Sequence, residues 1–265
     1  MKYFYLSLGI LTCSTAYTIH GSMLDSLSSW WSKGNEVVSK EQVLTPNSTF
    51  KIENIFGNIT IKTWKQNRLV VEAVKKGSKE AIDSTNIDAH YTTNGASIKT
   101  VQQNSQTKCN VDYTVLIPHT AIIVLAHTDC GNITIKNSSQ PIKAQTYKGS
   151  ITFEGITNSA QANTKCGNIC INAGPLKKEH KILAMSSRGN IKLELPAKTS
   201  ASLYAKTARG KITSDHAVTL EQRPMLITQR TFAELRKDVK GFIGDQNGAT
   251  IKLHTSHGNV KLVEA

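Results

Sequence analysis

Between residues 124 and 262 one pattern returns six times: an apolar residue, a spacer, usually Ala, a spacer, Thr or Ser, two spacers, Gly, usually Asn, then Ile, a spacer and Ile or Leu. The copies are Val124–Ala126–Thr128–Gly131–Ile133–Ile135, Ile142–Ala144–Thr146–Gly149–Ile151–Phe153, Ala160–Ala162–Thr164–Gly167–Ile169–Ile171 and Ile182–Ala184–Ser186–Gly189–Ile191–Leu193. Two more follow, Leu203–Ala205–Thr207–Gly210–Ile212 and Ile251–Leu253–Thr255–Gly258–Val260–Leu262, and an earlier variant, Phe50–Ile52–Asn54–Gly57–Ile59–Ile61, has Asn in the Thr slot. The repeated positions alternate with polar ones at a period of two, the signature of a strand with one buried face. The glycine falls where the alternation changes phase and predicts a corner, needed for positive φ or for close backbone approach. Each copy therefore reads as strand, corner, strand.

The copies start at 124, 142, 160, 182 and 203, spacings of 18, 18, 22 and 21 residues, too short for a self-contained domain. Units of that size bury their apolar face only by stacking on one another. The expected fold is all-β, a parallel β-solenoid with rungs of 18–22 residues. Right-handed coiling follows from the crossover preference of parallel strands.

Stacking puts equivalent side chains above one another. Asn58, Asn132, Asn168, Asn190 and Asn259 follow the corner glycine, with Ser150 and Lys211 as exceptions, and predict an amide ladder running from Asn168 to Asn190. Thr128, Thr146, Thr164, Ser186, Thr207 and Thr255 fall in an inward slot, where their hydroxyls need partners among the corner backbone groups.

Outside the repeat the chain divides into several stretches. Residues 1–21, with Lys2, the apolar run Tyr3–Leu11 and the small residues Ser14-Thr15-Ala16, read as a secretory signal peptide. Cys13 raises a lipoprotein alternative, although Leu11 and Thr12 match poorly the small residues that such a site needs. Residues 22–45, with Trp30 and Trp31, read as a tether or short helix that caps the domain or rests on a membrane surface. The solenoid domain spans 46–265. Within it 67–117 is a strand-rich excursion, with strands at Leu69–Val74, Ile87–Val101 and Asn110–Ile117, expected to form a sheet capping the N-terminal end. A second excursion, 214–248, includes Phe232–Lys240 as a helix or an extended stretch. Ile117-Pro118 leads into the copy at 124 much as Leu195-Pro196 leads into that at 203.

Export leaves Cys109, Cys130, Cys166 and Cys170 in a compartment that permits disulfides. Cys130 and Cys166 share a corner slot two rungs apart, about 9.6 Å, beyond disulfide reach, so no bridge joins them. Their pairing otherwise stays open. Cys170 is outward, in the slot of Thr152 and Lys192.

The formal charge is +13, and one less once Lys2 leaves with the leader, a balance that favours acidic partners. Anionic glycan, an envelope component or a surface protein fits an exported chain, and nucleic acid does not. Lys62, Lys136, Lys192 and Lys252 are scattered on outward positions, as on any solvated strand face.

The segments Phe56-Gly57-Asn58-Ile59-Thr60-Ile61, Leu195-Pro196 with Ala205 and Thr207, and Gly248-Ala249-Thr250-Ile251 through Gly258-Asn259-Val260 resemble the bacterial putative adhesin domain family of unknown function, related to auto-transporter adhesin head domains. The likeness covers roughly 46–265. It implies an exported or surface-associated β-solenoid located in the periplasm, on the cell surface or outside the cell, with no established catalytic residues.

Parallel β-helices also carry polysaccharide lyases and glycoside hydrolases, which need converging carboxylates or acidic metal ligands. The equivalent outward slots hold Lys136, Glu154, Asn172, Glu194 and Asp215, of which Glu194 and Asp215 could be neighbours on adjacent rungs. His254 with His257 and Cys166 with Cys170 have helical metal spacing, but on strands around a corner they point apart. His127 with Asp129 lacks a nucleophile at recognisable spacing. The reading is therefore a non-catalytic binding scaffold with no catalytic, cofactor or metal residue assigned, and a glycan-cleaving enzyme is the alternative.

Overall fold

A strand with one apolar face needs a second sheet to cover it. The computed structural model, which describes residues 35–103, 107–221 and 237–265, meets this need with two sheets packed around one core. The chain enters through β1 (Asn35–Val43), β2 (Thr49–Phe56), β3 (Ile59–Trp64) and β4 (Arg68–Lys76), then the short helix α1 (Lys79–Asp83). It continues through β5 (Thr85–Thr92), β6 (Gly95–Gln102) and β7 (Asn110–Pro118). The regular part runs β8 (Ile122–Cys130), β9 (Ile133–Lys136), β10 (Ile142–Lys148), β11 (Ile151–Ile156), β12 (Ala160–Cys166), β13 (Ile169–Ala173), β14 (Lys181–Arg188) and β15 (Ile191–Leu195). The last part holds β16 (Ala201–Arg209), β17 (Ile212–Ser214), β18 (Val218–Leu220), β19 (Asp238–Ile243), β20 (Ala249–His257) and β21 (Val260–Glu264).

One sheet runs β1-β4-β7-β3-β9-β11-β13-β15-β21-β17 and the other β5-β6-β2-β8-β10-β12-β14-β20-β16-β19-β18. Equivalent strands pair in parallel, so the chain is a parallel β-solenoid whose rungs each give one strand to each sheet. In the second sheet Ala126, Ala144, Ala162, Ala184, Leu253 and Ala205 form one buried column, and in the first Ile61, Ile135, Phe153, Ile171, Leu193 and Leu262 form another. Each fully buried large side chain contributes about 1.5–3 kcal/mol, which lets the stack hold its neighbours in register.

Stacking order differs from chain order at both ends. The rung β20–β21 lies between β14–β15 and β16–β17, and β2–β3 lies between β6–β7 and β8–β9. Residues 95–118 are thus a full rung, with β6 and β7 pairing in parallel with β2 and β3, not a separate capping sheet. What extends that end is antiparallel: β4 and then β1 beyond β7, and β5 beyond β6. The stretch read as one strand, Ile87–Val101, breaks into a hairpin at Thr93-Asn94. Between β4 and β5, α1 is capped by Ser78, whose hydroxyl accepts the Ala81 N–H, and buries Ala81 and Ile82. At the other end β19 and β18 extend the second sheet beyond β16, both pairings antiparallel. Antiparallel strands end a parallel stack without offering another copy of the parallel edge.

Three local readings are also resolved. Residues 35–43, within the stretch expected as a tether or helix, form β1, whose valines suit a strand beside the free edge of β4; Lys75 Nζ pairs with Glu36 there at 3.0 Å. Residues 238–243, partly inside the stretch read as a helix or an extended excursion, are extended and form β19. In the first regular copy the inward apolar residue is Ile123, not Val124. A bulge shifts β8 against its neighbours between Ile123 and Ala126, leaving Val124 47 % exposed. Residues 1–21, read as a signal peptide, with Cys13, Trp30 and Trp31 lie outside the described residues, as do 222–236. Among the described residues no helix is long and apolar enough to cross a membrane.

Candidate functional site

The corner is built by three stacked columns. In the first, each Thr-slot hydroxyl donates to the corner glycine carbonyl of the preceding rung: Thr146 to Gly131 at 3.0 Å, Thr164 to Gly149 at 2.9 Å, Ser186 to Gly167 at 3.0 Å, Thr255 to Gly189 and Thr207 to Gly258, both at 2.8 Å. Asn54, the variant, donates through Nδ2 to Val111 O at 2.8 Å. Buried hydroxyls are thereby satisfied across rungs rather than within them.

The glycines form the second column. A Cβ at Gly167 would lie 1.9 Å from the carbonyl oxygen of Gly149, and one at Gly149 equally close to that of Gly131. Close backbone approach, more than φ, is the requirement here.

The third column carries the ladder. Asn58 Oδ1 accepts from Asn132 N, Asn132 Oδ1 from Ser150 N, Ser150 Oγ from Asn168 N, Asn168 Oδ1 from Asn190 N, Asn190 Oδ1 from Asn259 N and Asn259 Oδ1 from Lys211 N, over 2.8–3.3 Å. The expected amide ladder exists, but each carboxamide bonds to the next rung's backbone rather than to the next carboxamide.

Beside the glycines runs the column Phe56, Cys130, Lys148, Cys166, Arg188, His257 and Arg209, in spatial order. Its last three members occupy consecutive rungs, are exposed, and form no ion pair with a carboxylate among the described residues. Arg188 donates to Cys166 Sγ at 3.0 Å, and Lys211 lies just past the corner. One step away, Lys165 Nζ sits 4.5 Å from the Tyr147 ring centre. The sequence placed Lys148 between the cysteines but could not place Arg188, His257 and Arg209 together, because that needs the rung order.

The candidate chemical groups are not assembled. Glu194 and Asp215 are separated by β21: Glu194 pairs in register with Val263, and Asp215 N bonds to Leu262 O. Hydrogen bonds from Asn172 and Lys192 hold the Glu194 carboxyl below its ordinary value, the opposite of what a general acid requires. On the same face Lys136 pairs with Glu154 at 2.8 Å. Burial, and then the nearby Glu194 charge, push the Cys170 thiol up, away from the reactive thiolate. His254 stacks on Met185 and Lys206 while His257 stacks on Arg188 and Arg209, so the two histidines belong to different columns. His127 and Asp129 bond at 3.1 Å on the outward side of β8. Cys130 and Cys166 lie two rungs apart with Lys148 between them, and the four described cysteines are free. No cluster of three or more metal-binding side chains occurs among the described residues.

Fold and corner together define a class, the parallel β-solenoid with a ladder-built edge. The chain belongs to the Toastrack DUF4097 family, whose model matches residues 43–263. Among solved structures it is similar to a putative cell adhesion protein from Clostridium sporogenes (7 % identity, TM-score 0.45, 87 % of this chain and 100 % of that one). It is also similar to a putative adhesin from Bacteroides fragilis (12 %, TM-score 0.35, 86 % and 97 %). A third is a putative lipid binding protein from Parabacteroides distasonis (8 %, TM-score 0.32, 85 % and 96 %). No curated protein matches the chain.

Proposed function

We propose that this chain is an exported, non-catalytic scaffold of the cell envelope whose basic corner binds an anionic surface polymer. The observation that carries this reading is the run Arg188, His257, Arg209 on consecutive rungs, with Lys211 beside it and no described carboxylate paired to any of them. Parallel rungs repeat at about 4.8 Å, so Arg188 and Arg209, on either side of His257, and Lys211 beside them project from one edge near enough for their positive charges to repel. A polymer bearing regular negative charge relieves that repulsion at several rungs at once. Export rests on the reading of residues 1–21 as a signal peptide. Adhesion is the role named for the Clostridium and Bacteroides proteins; for this chain it rests on charge and leader.

Affinity chromatography on immobilised anionic glycans, with a neutral dextran column beside it, tests the reading. Retention on the anionic columns that high salt abolishes supports it. Equal behaviour on both columns overturns it, and new reducing ends in the eluate replace it with the glycan-cleaving alternative.

A further inference from the structure

The N-terminal end of the stack is filled less completely than its middle. In β7 and β6 the inward residues include Tyr113 and Ile98, both fully buried. One strand further out, in β4 and β5, their cross-strand partners are Ala73 and Ala89. The drop in side-chain volume leaves a cavity of about 220 Å³ between the two sheets. Val38, Val71 and Ala73 line it from the first sheet, and Ile87, Ala89 and Ile98 from the second. Paired residues of antiparallel strands share a face, and here that face is the inward one: Val38 pairs with buried Ala73, and Ala89 with buried Ile98.

The walls become more exposed towards β1 and β5, the last strands of the two sheets: Ala73 is 2 % exposed and Val38 37 %. At that rim stand Lys40, on β1, and Tyr91, on β5. Lys40 Nζ lies 5.5 Å from the Tyr91 ring centre, so the pair reaches from one sheet to the other. Lys40 forms no ion pair with a carboxylate among the described residues. The carboxylate on the same face of β1, that of Glu36, is held by Lys75 at 3.0 Å. Burial pushes the Tyr91 phenol up, so its hydroxyl keeps its proton and can donate it.

The six aliphatic side chains offer no hydrogen bond, so a polar ligand such as a sugar or a peptide loses its water there without replacement. Hydrocarbon gains instead, by about 25 cal/mol for each Å² it buries. At the rim an ammonium without a carboxylate partner, beside a phenol, suits an anionic oxygen. A chain that is apolar along its length and carries a carboxylate at one end meets both conditions. An apolar cavity of about 150 Å³ takes up benzene, so this one holds a single chain of roughly eight carbons and not the paired chains of a phospholipid. We propose that this end cavity binds a medium-chain fatty acid, its tail between the sheets among Val71, Ala73, Ala89 and Ile98 and its carboxylate on Lys40 and Tyr91. The basic corner lies on β14, β20 and β16, towards the other end of the second sheet, so neither reading depends on the other.

Calorimetry and carboxyl-labelled NMR on the full chain, with octanoate, octanol and octylammonium below their micellar concentrations, test the proposal. One octanoate should bind per chain, octanol about tenfold more weakly, and octylammonium more weakly still. Lys40→Met keeps the aliphatic stem without the charge and should bring octanoate down to the affinity of octanol, leaving octanol unchanged. Ala89→Leu fills the cavity and should abolish binding of both; if it fails to fold, the Lys40 variant, at the exposed rim, still decides. Replacing Arg188 and Arg209 by Gln should leave octanoate binding unchanged. Absence of octanoate binding, equal affinity for octylammonium, full affinity in folded Ala89→Leu, or loss of binding in the arginine variant would overturn the proposal.

Discussion

The backbone N–H of Asn190 donates to Oδ1 of Asn168 at 2.8 Å, so a side chain of one rung completes the backbone hydrogen bonding of the next. Asn168 N in turn donates to Ser150 Oγ at 3.3 Å, which shows that a hydroxyl can fill the same role. Asn168→Ala should therefore destabilise the fold by about 1 kcal/mol, the net value of such a bond, and Asn168→Ser by less. Urea midpoints at constant slope give the comparison. Identical midpoints for both variants and the parent would make the ladder a bystander.

The glycine column should be far less forgiving. Gly167→Ala places a methyl 1.9 Å from a backbone oxygen that is itself held in the stack, so relief requires two rungs to part. A loss of about 3 kcal/mol or more is expected, the upper end for overpacking, measured as a fall in the thermal midpoint. Alanine at the outward, half-buried Thr152, which only removes atoms, is the control.

Tyr113 should make the fold sensitive to alkali. Its phenol is 1 % exposed and shares a 2.7 Å bond with Thr100, whose hydroxyl also donates to Asn54. Burial pushes it from 10.0 up to about 12. The folded state then holds its proton more tightly than the unfolded state, so this stabilisation is complete below pH 10 and is lost as pH rises towards 12. The loss amounts to at most about 2–3 kcal/mol. Absorbance titration should show a late tyrosine step that shrinks in Tyr113→Phe, with Tyr91, raised too by its partial burial, supplying what remains; a late step of unchanged size in that variant would assign it to another residue.

No disulfide should join Cys130 to Cys166. Alkylation under denaturing conditions without reductant should label both, and reductant should leave the thermal midpoint unchanged. A linked peptide containing both residues would mean that the rungs are stacked in another order.

Charge reversal at the corner should move stability and binding in opposite directions. Replacing Arg188 and Arg209 by Glu removes the repulsion between the two cations and, at a pH acid enough to protonate His257, flanks it with two carboxylates, a gain of a few tenths of a kcal/mol at low salt. The same variant should lose retention on anionic glycans. A variant that still binds would move the polymer site elsewhere on the surface.

Much of this was legible in the residues themselves. The spacing of Ala144, Thr146, Gly149 and Ile151 announces strand, corner and strand, and the pairing of Thr146 with Thr164 follows once the copies are aligned. The hydroxyls of that column were expected to bond to corner backbone, and they do. Val124 misled because a bulge keeps the polar-apolar rhythm in the sequence while turning that residue outward.

The sequence by itself determined which face of each segment is inward and where each corner falls, because alternation and the glycine requirement act within a dozen residues. Only the tertiary structure decided which rung lies on which. Every rung offers its neighbours the same inward side chains and the same backbone edge, so local sequence does not choose among them. The choice is made when β19 pairs antiparallel with β16 and takes one of its edges, leaving β20 the other, against β14. The two proline lead-ins, Ile117-Pro118 and Leu195-Pro196, stand at the two places where the chain skips a rung, from β7 to β8 past β2 and β3, and from β15 to β16 past β20 and β21. That rung order sets Arg188, His257 and Arg209 side by side and moves Asp215 away from Glu194.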